Sequence, residues 1–449
     1  MNLSEKIGAG RRDDGRLFIV ALTALMVMVA GTLLYPETFV SVGLRVGPFR
    51  ISPMAVLFII AGPPVSWYFW THRKELRPGL IDVTLPLCLV FVTVRGLLAA
   101  TNGNELGLVI AFTCYVLLLY YGTAVLGQNN AAVKVVFHTL AILAIIISAY
   151  ALLEYFLADN LLYGSLTEKK SPFKSVEFYR SGSTLAQPAV LGIFIVQVLP
   201  FLMYLFFVSR NNREKILWGL ASGLSVATLL VTFAKGSWVV ALLMGMGAVL
   251  YIVIRWSRFR QGLKTSLLIL AAFCIVILTT LAFVSLQNLN FNLMSEERQW
   301  ESVDMRWIMW QEAPEVFTQQ PLVGVGIWQG GNDVLHHVVE EGNLDLSHPI
   351  PLSNVFITIL VEEGLIGSLL LAGTLILAGR YAWLVIKGGG ESARIAVPVT
   401  VSMAALLING MTADSLLIWP VMVVFWLEAG LIRSQAEIQT KKDNRIPEA

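Results

Sequence analysis

Apolar stretches of membrane-spanning length recur along almost the whole chain, and no other feature constrains the fold as strongly. A helix of about 20 apolar residues matches the hydrocarbon core of a bilayer. The 449 residues are 56% hydrophobic and 14% charged, which excludes an ordinary soluble protein. We therefore predict an all-α polytopic membrane protein with about twelve transmembrane helices. The apolar runs lie near residues 17–35, 51–70, 79–99, 106–126, 133–157, 185–208, 216–234, 237–254, 265–286, 352–379, 395–412 and 416–432.

Basic residues are distributed unevenly between the loops that join these runs. An even number of spans places both termini on one side of the membrane. The termini and the loops on their side carry 22 Lys and Arg, whereas the opposite side carries 9. Short loops rich in Lys and Arg stay in the cytoplasm. We therefore expect cytoplasmic termini.

One long polar stretch, residues 287–351, separates the last three predicted spans from the first nine. We divide the chain into transmembrane helices 1–9 (residues 1–286), this long outer loop, transmembrane helices 10–12 (352–433) and a cytoplasmic tail (434–449). A loop of this length in a compact protein is usually functional. The loop is acidic, so any anion that it binds must be held by individually placed cations.

Two cations belong to sequences that are typical of a membrane interface. Arg306 lies in MRWIMWQEAPEVF, where Trp307 and Trp310 are three residues apart. This pattern predicts an amphipathic helix at the interface. Arg306 is either a ligand for an anion or the partner of a nearby carboxylate. Lys235 lies in the very short turn between two apolar runs, where it either binds an anion or extends to the lipid headgroups.

Two further cations lie near the predicted outer surface. Arg180 precedes the polar sequence SGST, whose hydroxyls suit either phosphate contacts or the N-cap of the next helix. Arg95 lies inside the third apolar run, a few residues from its outer end. An intramembrane Arg is a candidate functional residue, although it can also reach the interface by extending along the helix.

Candidate proton-transfer groups lie towards the end of the long loop. His348 is placed where the loop returns to the membrane, so its neutral imidazole could take a proton from a sugar hydroxyl. His337, next to His336, is a second candidate. Asn354 and Glu362 follow in the tenth apolar run on one broad helical face. Glu362 and Glu363 either face the bundle interior or are exposed at a break near Gly364.

Several other classes of site have no support in the sequence. It contains no HExxH, no EF-hand loop, no Walker motif and no GxSxG, and Cys88, Cys114 and Cys274 all lie in apolar runs. We therefore predict neither a metal site nor a cofactor. A small-anion transporter is the alternative from another functional class. Apart from Glu362 and Glu363, we place the ionisable residues at the outer edge, which favours an enzyme.

Four stretches together resemble the O-antigen ligase and O-antigen polymerase superfamily of bacterial membrane glycosyltransferases. In chain order they are RSGSTLAQPAVLG, VTFAKGSWV, MRWIMWQEAPEVFTQQPLVGVGIWQGGN and SNVFITILVEEGLIG. The resemblance covers roughly residues 175–380. It departs from the family pattern twice: Lys235 stands where the family usually has Arg, and Ser353 where ligases usually have His. His348, five residues upstream, could replace that His if Pro349 and Pro351 bend the chain.

The resemblance implies a GT-C-like fold and inverting transfer of a glycan from undecaprenyl diphosphate to a sugar hydroxyl, without a nucleotide sugar or a metal ion. By the same resemblance, Arg180, Lys235 and Arg306, with Arg95 as a further candidate, would bind the diphosphate. His348, or else His337, would act on the acceptor hydroxyl, and Asn354 and Glu362 would support the site. The Ser353 departure slightly favours a surface polysaccharide polymerase over a ligase acting on lipid A-core.

The resemblance also defines the expected surroundings. The protein would lie in the bacterial inner membrane, with its active face towards the periplasm. Its partners would be the undecaprenyl-diphosphate-linked donor, a glycan or lipid-linked acceptor, the lipid bilayer and a flippase or chain-length protein. No nucleic acid is expected to bind.

Overall fold

The computed structural model describes residues 3–34, 44–46, 49–51, 53–100, 103–157, 180–256, 296–331, 333–334 and 352–443. Within these ranges the chain is built from α-helices, as predicted, with one short antiparallel pair of strands, β1 (Leu44–Val46) and β2 (Phe49–Ile51). The helices are α1 (Leu3–Leu34), α2 (Pro53–His72), α3 (Ile81–Ala99), α4 (Gly103–Leu126), α5 (Asn130–Leu157), α6 (Pro188–Val208), α7 (Asn212–Thr232), α8 (Lys235–Trp256), α9 (Glu296–Gln319), α10 (Val355–Gly388), α11 (Gly390–Asn409) and α12 (Trp419–Asp443).

Eight helices in the described part of the chain are long and apolar enough to cross a membrane. They are α1, α3, α4, α5, α6, α7, α10 and α11. This establishes a multi-pass membrane protein. Three more helices, α2, α8 and α12, coincide with predicted apolar runs. The run near 265–286 lies outside the described residues.

Helix α12 forms the centre of the bundle. Its residues from Pro420 to Glu437 are buried, and it packs against α4, α10 and α11. Glu428 is fully buried in the middle of this helix and accepts a hydrogen bond from the Ser402 hydroxyl of α11. The expectation that only Glu362 and Glu363 lie away from the outer edge was therefore wrong.

The carboxyl-terminal half of α12 is fixed by a buried ion pair. Arg433 lies 3.0 Å from the Asp82 carboxylate of α3 and 3.3 Å from Glu437 in the next turn of α12. Its guanidinium also donates to the backbone carbonyl of Arg77. Buried charges are tolerated where they are paired and hydrogen-bonded in this way. The network fixes the relative position of α3 and α12 at the end of the bundle that we predict to be cytoplasmic.

Helix α10 is interrupted at Gly364, where φ is +61°. Residues 321–330, which we call the strap, lie against this break. The amides of Val325 and Gly326 donate to the carbonyls of Val361 and Glu362 at 3.1 and 2.7 Å. A Cβ on Gly364 would lie 2.6 Å from the backbone of Leu322, so a side chain there would push the strap away. The glycine at position 364 is thus explained by the close packing of the α10 backbone against the backbone of the strap.

Candidate active site

The short turn between α7 and α8, residues 232–236, brings two of the predicted cations to one place. Phe233 adopts a left-handed conformation at the end of α7, and α8 begins at Lys235, which is exposed. The Arg180 guanidinium donates to the carbonyls of Thr232 and Phe233 at 3.1 and 3.4 Å. Both cations therefore lie beside the amino end of α8, where the helix dipole favours anions.

A buried carboxylate that the sequence analysis did not single out holds the segment after Arg180. The carboxylate of Glu154, in the last turn of α5, is 1% exposed. It accepts hydrogen bonds from the Ser181 hydroxyl at 2.7 Å and the Ser183 amide at 2.6 Å. The Ser181 amide in turn donates to the Val231 carbonyl at 3.2 Å. Glu154 thus fixes the backbone from which Arg180 extends to the turn.

This arrangement corrects both interpretations of the SGST hydroxyls. Ser181, Ser183 and Thr184 are buried. Their hydroxyls donate inside the protein, to Glu154, to the Ile147 carbonyl and to the Leu33 carbonyl. The N-cap position of α6 is occupied by Gln187, whose side chain makes no capping bond. The hydroxyls therefore anchor the segment and do not cap the helix.

The loop between α11 and α12, residues 410–418, touches both the 232–236 turn and the start of α10. The Ser237 hydroxyl donates to the Asn409 side chain at 3.1 Å. A Cβ on Gly236 would lie 2.5 Å from the Thr412 hydroxyl, so the turn requires glycine there. The Val355 amide donates to the Gly410 carbonyl at 2.8 Å. Two separate motifs therefore meet at this loop.

Asp414, in the same loop, is a second site residue that the sequence analysis missed. Its carboxylate accepts hydrogen bonds from the Ser353 amide, at 3.1 Å, and from the Thr358 hydroxyl. Burial raises the pKa of Asp414 above its ordinary value, while these hydrogen bonds and the positive charge of Arg306 oppose that rise. The charge of Arg306 therefore acts on the 410–418 loop, which also contacts the turn that carries Lys235.

The amphipathic helix predicted around Arg306 is confirmed as part of α9. Met309 is fully buried against α10, whereas Trp307 is 59% exposed. The Trp310 indole donates to the Leu352 carbonyl at 2.7 Å. These contacts fix the rotation of α9 against the start of α10. An exposed Trp one position away is consistent with a helix at a membrane interface.

The supporting residues act mainly through the backbone. Asn354 is the N-cap of α10, and its side chain accepts from the amides of Phe356 and Ile357 at 3.1 and 3.3 Å. Glu362 and Glu363 are both buried at the Gly364 break. Of the two alternatives, the interior position is correct, and exposure at the break is wrong.

Arg95 is bonded to the strap. Its Nε donates to the Val323 carbonyl at 2.9 Å, and its NH2 group donates to the Gly324 carbonyl and, at 3.1 Å, to the Gln320 side chain. These bonds direct the guanidinium to backbone carbonyls on the strap, so in this structure Arg95 acts as an anchor. Its assignment to the diphosphate stays a prediction.

His336, His337 and His348 lie outside the described residues, as do Pro349 and Pro351. The interpretation of His348 as a base, with His337 as a reserve, therefore stays a prediction.

Residues 220–372 match the family model described as O-antigen ligase. The match begins inside α7 and ends inside α10, so it contains Lys235, Arg306 and the strap. Arg180 and Glu154 precede it, and Asp414 follows it. A comparison with curated proteins gave no match.

Proposed function

We propose that the chain, whose residues 220–372 match the family model described as O-antigen ligase, transfers a glycan from undecaprenyl diphosphate to an acceptor sugar hydroxyl. One observation carries the proposal: Arg180 and Lys235 share the 232–236 turn, and this turn and Arg306 both border the 410–418 loop. Cations that precede the long loop and one that lies within it thus border the same loop and form one cationic region.

A cationic region of this kind suits a diphosphate leaving group. As the bond to the anomeric carbon breaks, negative charge develops on the diphosphate, and positioned cations stabilise that charge. Arg180 and Arg306 can each present a planar fork to phosphate oxygens, whereas Lys235 acts as a point charge at the start of α8. Apolar grooves between helices would hold the polyprenyl tail.

The second requirement is an acceptor hydroxyl placed in line with the anomeric carbon. We assign His348 to this hydroxyl, as a base or a positioning group, with His337 as the reserve. The side that binds both substrates would be periplasmic, and both termini cytoplasmic, in the inner membrane.

We favour a surface polysaccharide polymerase over a ligase that joins the glycan to lipid A-core. The reason is Ser353, which stands where ligases usually carry His. Ser353 has a positive φ of 54°, and its amide binds Asp414, so its backbone serves the loop contact. If the enzyme is a ligase, His348 must replace that His.

Membrane vesicles supplied with undecaprenyl-diphosphate oligosaccharide test the proposal. Lengthening of the lipid-linked glycan identifies a polymerase, and transfer to lipid A-core identifies a ligase. If neither occurs and the purified protein transports a small anion, the glycosyltransferase proposal is wrong.

Variants of the proposed site extend this test. Arg306→Ala and His348→Ala should each abolish transfer at normal expression. Arg394→Ala and His138→Ala, at exposed positions on other helices, are matched controls that should keep it. Unchanged transfer in both site variants would remove the long loop from the mechanism.

A further inference from the structure

An apolar stripe runs along the exposed side of α2 and ends at two tryptophans. Residues 56, 59, 60, 63, 67 and 70 share one side of this helix, and all of them are exposed. Ile59 and Ile60 are 63% and 67% exposed, and Trp67 and Trp70 are 61% and 60% exposed. In a membrane protein such a stripe faces acyl chains, and tryptophan marks the level of the lipid headgroups.

The chain that follows α2 places a cation on the second of these tryptophans. One turn of 3₁₀ helix, Arg73–Glu75, follows directly after His72. The Cζ atom of Arg73 lies 3.5 Å from the centroid of the Trp70 ring, in a cation–π contact. This stacking engages the flat face of the guanidinium and leaves the N–H groups in its plane for a phosphate. Arg73 and the neighbouring Lys74 are both exposed, at the level where the tryptophans place the headgroups.

The turn that carries these cations is fixed by α12. The amide of Arg77 donates to the Glu437 carboxylate at 3.2 Å, and the Arg433 guanidinium donates to the carbonyl of Arg77. The Lys441 ammonium donates to the carbonyl of Glu75 at 2.8 Å. The backbone under Arg73 and Lys74 is therefore held in place before any ligand arrives, which lowers the cost of binding one.

The surface of this turn has a net positive charge. Residues 73–77 comprise three basic residues and one acidic residue, Glu75. Asp14 of α1 is a further carboxylate close by, since it acts on Tyr68 together with Glu75. Lys441, bonded to the same turn, offsets Asp14. The end of the apolar stripe therefore attracts an anion.

We propose that the stripe and the 73–77 turn together bind one phospholipid with an anionic headgroup, independently of glycan transfer. The lipid phosphate contacts the in-plane N–H groups of Arg73 and the ammonium of Lys74, and an acyl chain lies along the exposed side of α2. A free phosphate would use the cations but leave the stripe uncovered. A zwitterionic headgroup brings its own cation, which the positive turn repels. Anionic lipids are attracted to basic segments at the cytoplasmic surface, where we predict this turn to lie.

Thermal unfolding of the purified full-length protein in non-ionic detergent tests the proposal. A ligand that binds the folded state alone raises the melting temperature with its concentration. Phosphatidylglycerol and phosphatidylcholine with identical acyl chains are added in parallel, and glycerol 3-phosphate supplies the headgroup chemistry without chains. We expect phosphatidylglycerol to raise the melting temperature more than phosphatidylcholine does, and glycerol 3-phosphate to leave it unchanged. Equal rises with the two lipids, or a rise with glycerol 3-phosphate as large as that with phosphatidylglycerol, would overturn the proposal.

Variants locate the effect on the turn. Arg73→Gln should increase the phosphatidylglycerol concentration needed for half of the rise by about tenfold, as expected for the loss of one charge-assisted hydrogen bond. Lys134→Gln, at an exposed position of α5, is the matched control and should respond like the wild type.

The tryptophan is tested with its own control. Trp70→Leu should also weaken the response, because Arg73 loses the ring on which it stacks, whereas Trp383→Leu, at a 65% exposed position of α10, should not. If Arg73→Gln fails to fold, Lys74→Gln takes its place with the same expected direction. A wild-type response in the cation variant that folds means that the lipid does not bind at this turn, and the proposal is then wrong.

Discussion

Replacement of Glu154 tests whether the segment after Arg180 must be held in place for transfer. In Glu154→Ala the Ser181 hydroxyl and the Ser183 amide lose their acceptor at a site that is 1% exposed in the wild type. Each buried donor left unpaired costs about 1–3 kcal/mol. The segment therefore loses roughly 2–6 kcal/mol of local stability, enough to let Arg180 leave the 232–236 turn.

Glu154→Gln is the graded counterpart. Both hydrogen bonds are accepted by one oxygen, Oε2, so the Gln amide oxygen in its place can still accept them, while the charge on the acceptor is lost. A hydrogen bond to a charged group contributes about 1 kcal/mol more than a neutral one. Since 1.36 kcal/mol corresponds to about a tenfold change in rate, we expect kcat/KM for the lipid-linked donor to fall about tenfold in Glu154→Gln. In Glu154→Ala we expect a fall of about a hundredfold or more.

The assay is initial-rate glycan transfer in proteoliposomes with the donor concentration varied, alongside the folded fraction of each variant. Glu315→Gln controls for the loss of a carboxylate from an exposed surface. A positioning role predicts that the loss appears in the donor kinetics of folded protein, with Glu154→Gln between the wild type and Glu154→Ala. Wild-type kcat/KM in Glu154→Ala, or a loss that only follows the unfolded fraction, would refute the reasoning.

Three further changes have expected outcomes. Lys235→Ala should lower kcat by about a hundredfold, as loss of a charge-stabilising donor does, while Lys235→Arg should keep transfer in the same assay. Asp414→Asn should lower kcat/KM by about tenfold, because Arg306 loses a negative charge that acts on it and the 410–418 loop loses part of its hold on Ser353. Burial raises the pKa of Asp414, so the wild-type free energy of unfolding falls as pH rises through that pKa, and Asp414→Asn should flatten this dependence in denaturant titrations. Arg95→Ala should lower the melting temperature more than it changes the donor KM, since it frees carbonyls on the strap.

Patterns that depend on neighbours in the chain could be predicted from the sequence. The apolar runs indicate helices because each run is long enough to cross a bilayer. The tight turn before Lys235 and the amphipathic helix around Trp310 also follow from local spacing, and both are present. The break at Gly364 was one of two stated alternatives. That alternative also expected Glu362 and Glu363 to be exposed at the break. This part is wrong, because both residues are buried beneath the strap.

Residues that act across the fold could not be predicted in the same way. Glu154 and Ser183 are separated by 29 positions, and Asp414 and Ser353 by 61. Neither carboxylate has a motif of its own, and each acts by accepting hydrogen bonds from a distant backbone. A single carboxylate near the end of an apolar run was the available signal for Glu154, and it has the same appearance whether it faces lipid headgroups or a buried amide.

The same contacts explain why the motif residues are coupled although they lie far apart in the sequence. Arg180 is joined to the Lys235 turn through backbone carbonyls, and that turn packs on the loop that contains Asp414, through Gly236 and Thr412. Asp414 binds the amide of Ser353 at the start of α10, and the same helix receives the strap at its break. Because the segments are joined in this way, a shift of any one of them is passed to its neighbours. Such a shift therefore changes the distances between the cations. Because a diphosphate needs several charges at once, a variant that moves the 410–418 loop should impair transfer even where every cation is retained.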